Sequence, residues 1–370
     1  MTGGAALLER LAERQAELPA DLVIAAEGGI VPARAGRRAR RNVMVAVTAM
    51  LVVPTLVLAF LVAQVAVSLD GLTVLPDSEV FPEGSDRPAA STTGALNVLL
   101  LGTDSLDGLG DEEALADGGA TGQRADTIVV AHVPADRGAV YLVSLMRDLW
   151  VDVPGTGEGK LNSAFARGGI PLTVQTVEDL LGARIDHVAL VDFAGIATVS
   201  TALGGVDVTS PKAFDSLEHP GFPSHSFTRG HNRVSGDRAL AFVRERYAFP
   251  DSDFQRVENQ RSFLEGVFRG LGDSAGRLDL DRVTAALAAA SDSLVVDSGL
   301  DVATVSSLVS SLSDVGADGI VSFTLPTEGT DTRDGQSVVL PDDAAVLDLG
   351  ATLAADSVDD FVESRSIAGT

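Results

Sequence analysis

The 370-residue sequence contains no cysteine. Disulfide bonds, thiolate metal sites and cysteine nucleophiles are therefore excluded. Lysine is also scarce, because Lys160 and Lys212 stand against 25 arginines. Together with abundant alanine, glycine, valine and aspartate, this scarcity is typical of a bacterial genome of high GC content.

Positive charge is in short supply overall. Lysine and arginine total 27 and aspartate and glutamate total 52, which gives a formal net charge of -25. A protein that binds a polyanion normally needs a basic face that releases counterions. We therefore expect no nucleic-acid partner, and any anionic substrate must be held by a few clustered arginines.

One long stretch lacks charge altogether. Residues 42–69 run for 28 uncharged positions, more than the roughly 20 that a helix needs to cross a bilayer. Five arginines precede it, at positions 34, 37, 38, 40 and 41, and acidic residues follow it. The positive-inside rule then predicts a single transmembrane helix with residues 1–41 as a cytoplasmic tail and the rest of the chain outside the cell membrane. The alternatives, a buried core helix and a cleaved signal peptide, fit less well, since the apolar part of a signal peptide spans about 7–15 residues.

The segment after the predicted membrane helix changes composition. Residues 70–95 hold three prolines and three glycines and predict an extracellular linker. From residue 96 to residue 357, short β-branched segments alternate with segments of helical periodicity, which predicts an α/β domain, and residues 358–370 form a C-terminal tail.

The periodicity assigns individual elements. Strands are predicted at 97–103, 127–133, 139–146, 188–193, 205–210 and 320–326. Helices are predicted at 171–182, 194–204, 236–246, 254–271, 281–294, 302–315 and 342–355. The acidic, glycine-rich residues 104–123 do not match the spacing of a calcium loop, so we expect a mobile insertion there.

Three familiar motifs match poorly. The segment "GDSAG" at 272–276 has the pattern of a serine nucleophile elbow, but Ser274 follows a helical stretch where a strand is required, so a serine hydrolase is a remote alternative. The segment "GTGEGK" at 155–160 lacks the first glycine and the final hydroxyl residue of a phosphate loop. The five histidines are scattered and predict no zinc site.

Arginine and aspartate residues stand at the ends of predicted strands, where sites gather in α/β folds. Asp104 closes the first strand, Arg124 and Asp126 open the second, and Arg147 and Asp148 close the third. For each neighbouring pair, a surface salt bridge is the alternative to a functional role.

Several ordered motifs carry a resemblance to a known family. They are "NVLLLGTD", "RADTIVVAHV", "VSLMRDLWVDVPG", "KLNSAF", "VDFAGIATVSTALGGVDV", "SGDRALAFVRERY" and "DFQRVENQR". The sequence from about residue 97 to residue 270 resembles the LytR-CpsA-Psr family. The resemblance implies an α/β/α sandwich with a long apolar groove for a lipid. It also implies a transferase that moves a glycopolymer, such as arabinogalactan or a teichoic-acid-like polymer, from a polyprenyl-pyrophosphate carrier to a peptidoglycan hydroxyl.

The resemblance also implies roles for individual residues. Asp104 and Asp126 correspond to carboxylates that hold Mg²⁺ or Mn²⁺ at the pyrophosphate. The implied pyrophosphate-binding arginines are Arg124, Arg147, Arg244 and Arg246. Asp253, Arg256 and Gln260 match a D-x-x-R-x-x-x-Q signature, and Lys160 occupies a K-x-N position that either contacts substrate or is an ordinary loop lysine. Either Asp148 or Asp253 is the candidate general base, and either could instead orient an arginine. The 21 residues between Asp104 and Asp126 are more than the family pattern leads us to expect.

These residue types suit that chemistry. Phosphoryl transfer from a pyrophosphate builds negative charge on the leaving phosphate, which guanidinium groups and a hard cation stabilise. Mg²⁺ prefers one or two carboxylates together with phosphate oxygens and water. Phe193, Phe242 and Phe249 either line the lipid groove or pack in an ordinary core. A membrane-anchored protein that binds polyprenyl lipids without catalysis is the competing reading of the whole pattern.

The arginine-rich segment 242–261 combines two predicted helix ends. Arg244 and Arg246 end the first helix and point at the anion, and Asp253 caps the second helix. Arg256 and Gln260 then lie one turn apart on one face. Glu245, Glu258 and Arg261 are expected to be solvated.

Overall fold

The computed structural model describes residues 73–84, 87–103, 125–217, 223–250, 253–276, 279–301 and 319–367, with residues 304, 308 and 315. The predicted cytoplasmic tail (residues 1–41) and membrane helix (residues 42–69) lie outside these ranges. So do Asp104, Arg124 and the predicted insertion. So does most of the predicted helix 302–315. Within the described ranges, no helix is both long enough and apolar enough to span a bilayer.

The elements follow one another in an alternating order. The strands are β1 (Thr73–Leu75), β2 (Leu96–Thr103), β3 (Ala125–Val133), β4 (Val140–Leu145), β5 (Trp150–Val153), β6 (Gly157–Lys160), β7 (His187–Asp192), β8 (Val206–Ser210), β9 (Phe214–Asp215), β10 (Ser226–Phe227), β11 (Gly230–Val234), β12 (Leu294–Asp297), β13 (Ile320–Thr324), β14 (Thr327–Arg333) and β15 (Gln336–Pro341). The helices are α1 (Asp77–Val80), α2 (Asn162–Leu181), α3 (Phe193–Ala202), α4 (Asp237–Arg244), α5 (Asp253–Gly276), α6 (Leu280–Ser291), α7 (Asp343–Ala355) and α8 (Val358–Ser364).

The central sheet has seven strands in the order β1-β12-β7-β2-β3-β4-β13. The pairs β2–β7, β4–β13 and β1–β12 are parallel, and β2–β3, β3–β4 and β7–β12 are antiparallel. Strands β2, β4, β7 and β13 therefore run in one direction. Their carboxyl ends share one edge of the sheet with the amino end of β3, and this edge carries the candidate site.

Helices cover both faces of the sheet, as the predicted α/β/α arrangement requires. On one face, α2 and α7 pack Val177 and Leu349 into the same core cluster as Leu99 and Val143 of the sheet. On the other face, Leu264 and Phe268 of α5 pack against a cluster that contains Leu142. Strand β4 is buried at all six positions because it is covered on both sides, which is why its sequence is almost continuously apolar.

The six predicted strands are all present, but one of them lies outside the central sheet. The segment predicted at 205–210 forms β8, which pairs with β11 in a separate antiparallel hairpin rather than in the central sheet. The helix predicted at 171–182 begins earlier, at Asn162, and is kinked where Gly168 and Gly169 leave helical geometry. Gly168, Gly169 and Pro171 are weak helix formers, so the helical periodicity of the residues before Pro171 is not apparent in the sequence.

The segments on either side of the predicted domain also pack against it. Strand β1 and helix α1 lie within the predicted linker, and β1 forms the edge of the sheet beside β12. Arg87 hydrogen-bonds the buried Glu178 of α2 at 2.7 and 2.9 Å. In the predicted C-terminal tail, Phe361 of α8 is fully buried and stacks on Phe323, with ring centroids 5.5 Å apart.

Candidate active site

Arg147 is the centre of a charged network at the carboxyl edge of the sheet. It follows β4, and its Nε and Nη2 atoms each donate a hydrogen bond of 3.1 Å to the Asp253 carboxylate. Its Nη1 atom donates to Asp126 Oδ1 at 2.5 Å. Asp126 lies at the start of β3 and Asp253 is the first residue of α5. One guanidinium thus ties three elements together through a bidentate pair and a single bond.

Three more predicted residues join this network. Arg256 Nη2 lies 2.8 Å from Asp253 Oδ1, one turn further along α5. Lys160 Nζ, at the end of β6, lies 2.8 Å from Asp148 Oδ1. We call Asp126, Arg147, Asp148, Lys160, Asp253 and Arg256 the charged cluster.

The ion pairs of the charged cluster are not ordinary surface salt bridges between chain neighbours. The Arg147 and Asp126 side chains are each 16% exposed, and Asp253 is 20% exposed. The neighbouring pair Arg147 and Asp148 is the longest contact, at 3.7 Å. Arg147 instead makes its hydrogen bonds to Asp126 and Asp253, which are 21 and 106 positions away in the sequence, so the tertiary fold brings these charges together.

Burial and neighbouring charges act differently on the two arginines. Burial works to lower the pKa of Arg147, but Asp253 and Asp126 outweigh it, so its pKa is raised. For Arg256, burial lowers the pKa, Asp253 opposes this, and the positive charges of Arg147 and Arg246 lower it further. The Arg256 Nε atom is also buried without a hydrogen-bond partner among the described residues. An anion beside Arg256 would therefore be stabilised.

Arg244 and Arg246 were predicted to end one helix together, and this is wrong for Arg246. Helix α4 ends at Arg244, and Glu245 already has extended geometry. The Arg244 guanidinium lies 5.6 Å from the ring centroid of Phe193. The Arg246 guanidinium lies over the ring of Tyr247 and donates to its hydroxyl.

Two more expectations for the arginine-rich segment, the cap role of Asp253 and the solvation of Glu245, also need correction. Asp253 is the first helical residue of α5, and its carboxylate oxygens bind Arg147 and Arg256. Glu245 is buried, not solvated, and accepts from the backbone amides of Leu217 and Ala248 at 2.8 and 2.9 Å.

Two further side chains of the segment were also expected to be solvated. Arg261 Nη1 donates to the Ser322 carbonyl at 2.6 Å, so its guanidinium is engaged with β13. Glu258, whose side chain is 51% exposed, matches the expectation.

An apolar cavity of about 300 Å³ lies beside the charged cluster, between the sheet and helices α3, α5 and α6. Its wall is formed mainly by aliphatic and aromatic side chains, including Leu100, Phe193, Val199, Phe263, Val267 and Phe268. The polar side chains in the wall are Thr127, Gln260 and Ser293. Phe193 lines the cavity, whereas Phe242 and Phe249 do not and instead pack around Phe214, in the core cluster to which Phe193 also belongs.

Two residues that line the cavity differ in how well the sequence predicted them. Gln260 was predicted from the signature, and it lies one turn beyond Arg256 with only 5% of its surface exposed. Thr127 was missed because a threonine inside a β-branched strand looks like an ordinary strand residue. Its position directly after Asp126 was the one available signal.

The donor set for a metal ion is small in the described residues. No group of three or more histidine, aspartate or glutamate side chains that could hold a metal is found among them. Asp253 is engaged with two arginines and Asp148 with Lys160. Asp126 Oδ1 likewise accepts from Arg147, so Asp126 could offer its other carboxylate oxygen to a hard cation that takes its remaining ligands from phosphate oxygens and water.

Two of the three poorly matching motifs do not adopt the geometry that their functions need. Residues 157–160 form β6, paired with β5 in a hairpin, so "GTGEGK" makes no strand-to-helix phosphate loop. Ser274 is buried inside the last turn of α5, which is not the exposed strand-to-helix turn that a serine nucleophile needs.

Comparisons with known proteins agree with this architecture. The model of the LytR_cpsA_psr family matches residues 77–354. Among curated relatives, the chain is 38% identical over 173 residues to a polyisoprenyl-teichoic acid–peptidoglycan teichoic acid transferase, TagU, of Enterococcus faecalis, covering 46% of this chain and 52% of the relative. It is 40% identical over 181 residues to a probable cell wall biosynthesis protein, LcpB, of Corynebacterium glutamicum, covering 48% of this chain and 42% of the relative. The chain thus spans about half the length of these relatives.

A solved structure shows the same fold. The LytR-Csp2A-Psr enzyme from Actinomyces oris superposes with a TM-score of 0.56 at 24% identity, over 74% of this chain and 96% of that one. The family match covers most of the chain and includes six of the seven strands of the central sheet, the charged cluster and the cavity. The chain therefore belongs to the LytR-CpsA-Psr family.

Proposed function

We propose that this protein transfers a glycopolymer from a polyprenyl-pyrophosphate carrier to a hydroxyl of peptidoglycan. The observation that carries the proposal is that the charged cluster and the wall of the apolar cavity are built from adjoining residues of the same two elements, β3 and α5. Thr127 of the wall adjoins Asp126, and Gln260 of the wall is one turn from Arg256. A ligand that fills both regions must have an anionic head and an apolar chain. The names of the relatives in this family support a polyisoprenyl-linked substrate.

The arginines would bind the pyrophosphate. Arg256 is buried, carries an unpartnered Nε–H among the described residues and lies near the positive charges of Arg147 and Arg246. Two phosphate groups would relieve this repulsion, and guanidinium groups suit the charge that develops on the leaving phosphate. Asp253 holds Arg147 and Arg256 in place, so it acts as a positioning residue.

The transfer step needs one base and one leaving group. The acceptor hydroxyl oxygen attacks the phosphorus that carries the glycopolymer, and the bond from that phosphorus to the bridging oxygen breaks. The leaving group is the polyprenyl monophosphate. Asp148 would accept the hydroxyl proton on Oδ2. Its Oδ1 atom is engaged with Lys160, whereas Oδ2 lies 3.7 Å from Arg147 Nε.

A divalent cation, Mg²⁺ or Mn²⁺, fits the proposal. Asp126 would hold it together with pyrophosphate oxygens, and the family resemblance adds Asp104 and a further substrate contact from Arg124. The ion would supply additional neutralisation of the phosphate charge.

The location follows from the sequence. A single helix over residues 42–69 would anchor the chain, with the N-terminus in the cytoplasm and the domain on the outer face beside the carrier lipid. The carrier's phosphoanhydride bond supplies the driving free energy for a reaction outside the cell. Arabinogalactan and teichoic-acid-like polymers are the proposed cargo classes.

The test is transfer by the full-length protein in detergent micelles with a polyprenyl-pyrophosphate-linked oligosaccharide, peptidoglycan fragments and Mg²⁺. We expect Arg147→Ala to lower the transfer rate by at least about a hundredfold, since it removes a group that faces the developing charge. Arg333→Ala is the matched control, because Arg333 pairs with Asp331 on the exposed hairpin β14–β15. Tight lipid binding by the wild type without any turnover would instead identify a non-catalytic lipid-binding protein.

A further inference from the structure

The chain enters the described domain at the edge of the sheet that carries the charged cluster. Strand β1 is parallel to β12, and β12 is antiparallel to β7. Strand β1 therefore runs opposite to β2, β4, β7 and β13, so its amino end lies where their carboxyl ends lie. The register agrees, because Thr73 is aligned with Val295 and through it with Leu190. Leu190 is in turn aligned with Leu101, close to the carboxyl end of β2, so β1 begins near the level of the candidate site.

Little chain separates this point from the predicted membrane helix. Three residues, 70–72, lie between the predicted span 42–69 and Thr73. Even when fully extended, the four steps from residue 69 to residue 73 cover at most about 14 Å. Given the anchor proposed above, the carboxyl edge of the sheet must therefore lie close to the bilayer surface.

Two exposed apolar side chains are found near the same edge. Leu217 and Tyr247 are 47% and 61% exposed and are two of the four large apolar side chains that are exposed in the described part of the chain. The segments that carry them meet at Glu245, whose carboxylate accepts from the Leu217 amide and from the amide of Ala248, the residue after Tyr247. We call Leu217 and Tyr247 the apolar patch.

The apolar patch adjoins the charged cluster. Arg246 directly precedes Tyr247, and its guanidinium lies over the Tyr247 ring. Burial lowers the pKa of Arg256, a member of the charged cluster, and the charge of Arg246 is close enough to lower it further. The apolar patch and the amino end of β1 therefore both lie towards the carboxyl edge of the sheet.

The loop that presents Tyr247 is held in place from inside. Glu245 is only 4% exposed, so its carboxylate serves the loop backbone and not the solvent. Lys212 Nζ donates to the Ala248 carbonyl at 2.6 Å and lies 4.5 Å from the centroid of the Phe249 ring. A buried acid and a half-buried lysine thus fix this loop before any partner arrives. A surface that is already fixed loses little conformational entropy on binding.

The charge around the apolar patch differs from that of the whole chain. Residues 206–250 contain six basic and five acidic side chains, whereas the whole chain contains 27 and 52. Of these acids, Glu245 is buried and Asp207 pairs with Arg233. An anionic surface is therefore repelled by most of the domain but not by this segment. Tyrosine and leucine beside arginine suit the headgroup region of a bilayer, where apolar groups leave water and guanidinium groups meet lipid phosphates.

We propose that the apolar patch inserts into the headgroup region of an anionic bilayer and so turns the carboxyl edge of the sheet towards the membrane. The proposal rests on the proposed function for the location of the chain, and it adds the surface through which the domain meets lipid. A single short tether at β1 would leave the domain free to rotate, whereas a second contact at the patch fixes its orientation. A pyrophosphate at headgroup depth would then meet the charged cluster without leaving the bilayer surface.

The test measures how closely residue 247 approaches lipid. Full-length Tyr247→Trp protein is reconstituted into vesicles of phosphatidylglycerol and phosphatidylcholine, with and without a phosphatidylcholine that is brominated near the top of its acyl chains and quenches tryptophan on contact. The native chain has one tryptophan, Trp150, so the wild-type signal is subtracted. We expect brominated lipid to lower the emission added by Tyr247→Trp by at least about twofold, because an interfacial side chain reaches the boundary of the acyl chains.

Ala135→Trp is the matched reporter. Ala135 is exposed in the turn between β3 and β4, at the opposite edge of the sheet. The six residues of β4 separate the two edges by about 20 Å. The emission added by Ala135→Trp should therefore not change with brominated lipid.

A charge substitution tests the apolar patch itself. In the Tyr247→Trp protein, Leu217→Glu places an acidic group against anionic lipid and should reduce the quenching by at least about twofold. Leu347→Glu is the matched substitution, because Leu347 on α7 is also an exposed leucine but lies outside the patch. It should leave the quenching unchanged, and thermal unfolding of all variants checks that they are folded.

Three results would overturn the proposal. Equal quenching at positions 247 and 135, or none at 247, would mean that the patch does not face the bilayer. Wild-type protein that does not float with the anionic vesicles would mean that no part of the chain holds lipid. A Tyr247→Trp signal that ignores brominated lipid but responds to soluble peptidoglycan fragments would identify a glycan-binding surface instead.

The outcomes also separate this proposal from the proposed function, because quenching is measured without substrate. If residue 247 is quenched as expected but the wild type transfers no glycopolymer, the proposed function fails and the membrane-facing patch stands. Transfer by the wild type without quenching at residue 247 has the opposite meaning.

Discussion

The Arg147 guanidinium holds the Asp253 carboxylate through two hydrogen bonds of 3.1 Å each. This pair joins the carboxyl end of a central strand to the first turn of the long helix that forms the cavity wall. The same carboxylate binds Arg256, so one acidic residue sets the positions of two guanidinium groups. The geometry of the proposed pyrophosphate site therefore depends on Asp253.

Asp253→Asn should disturb the site more than it disturbs the fold. The amide keeps the shape of the carboxylate but removes the charge that compensates Arg147 and Arg256. We expect a loss of about 1–3 kcal/mol in the free energy of unfolding, measured in urea, since the group is only partly exposed. Transfer should fall by at least about tenfold because the arginines lose their orientation. Asp207→Asn, which breaks an exposed pair with Arg233, is the control, and equal effects of the two substitutions would contradict a positioning role.

Arg87→Ala tests whether the segment before β2 is part of the domain. It leaves the fully buried Glu178 carboxylate with the Ile185 amide as its remaining described partner. Removing one partner of a buried ion pair costs about 3–5 kcal/mol, and we expect a loss in that range in urea unfolding. A change below about 0.5 kcal/mol, as expected for Arg333→Ala on the surface, would show that the segment is dispensable.

The pH dependence of stability should contain a contribution from His132. This side chain is fully buried, with Nδ1 2.8 Å from Asn97 Oδ1 and Nε2 3.2 Å from Asp356 Oδ1. Burial lowers its pKa from the ordinary value of 6.5, against the opposing charges of Asp356 and Asp186 and with help from Arg137. The unfolded chain then binds more protons than the folded chain below pH 6.5. Stability due to this residue is therefore present above that pH and is lost as the pH falls towards the folded pKa.

His132→Gln isolates that contribution. Unfolding free energies measured in urea between pH 5 and pH 8 should fall towards low pH more steeply in the wild type than in the variant. Identical slopes would mean that the Asp356 contact keeps the pKa of His132 at its unfolded value.

Gly102→Ala should narrow the cavity beside Thr127. A Cβ atom at this position would lie 2.8 Å from Thr127 Cβ and 3.7 Å from Phe193 Cε1, so the Thr127 side chain must shift. We expect weaker binding of geranylgeranyl pyrophosphate, by about tenfold, with an overpacking cost of about 1–3 kcal/mol in stability. Gly270→Ala on α5 is the control, because its nearest neighbour would be Leu203 at an ordinary 3.8 Å. Unchanged lipid affinity in a folded Gly102→Ala protein would place the prenyl chain elsewhere.

The sequence predicted the core strands and long helices well, and the reasons are local. Strand β4 is apolar at nearly every position because both its faces are covered, and β2 and β3 share that property. The strands that were not predicted are short or polar and depend on their partners; they are β1, β5, β6, β9, β10, β11, β12, β14 and β15. The end of α4 at Arg244, one residue before an extended Glu245, has no marker in the residue pattern.

By itself, the sequence determined the α/β class, the identity of most of the charged residues and the family to which they belong, because strand periodicity and ordered motifs are properties of neighbouring residues. Only the tertiary structure decided which charges meet. Arg147 binds Asp126 and Asp253 rather than its neighbour Asp148, Glu245 is buried against backbone amides, and Thr127 faces the cavity. These contacts join residues that are distant in the chain, and their energies depend on burial and distance, which exist only once the sheet and its helices have packed.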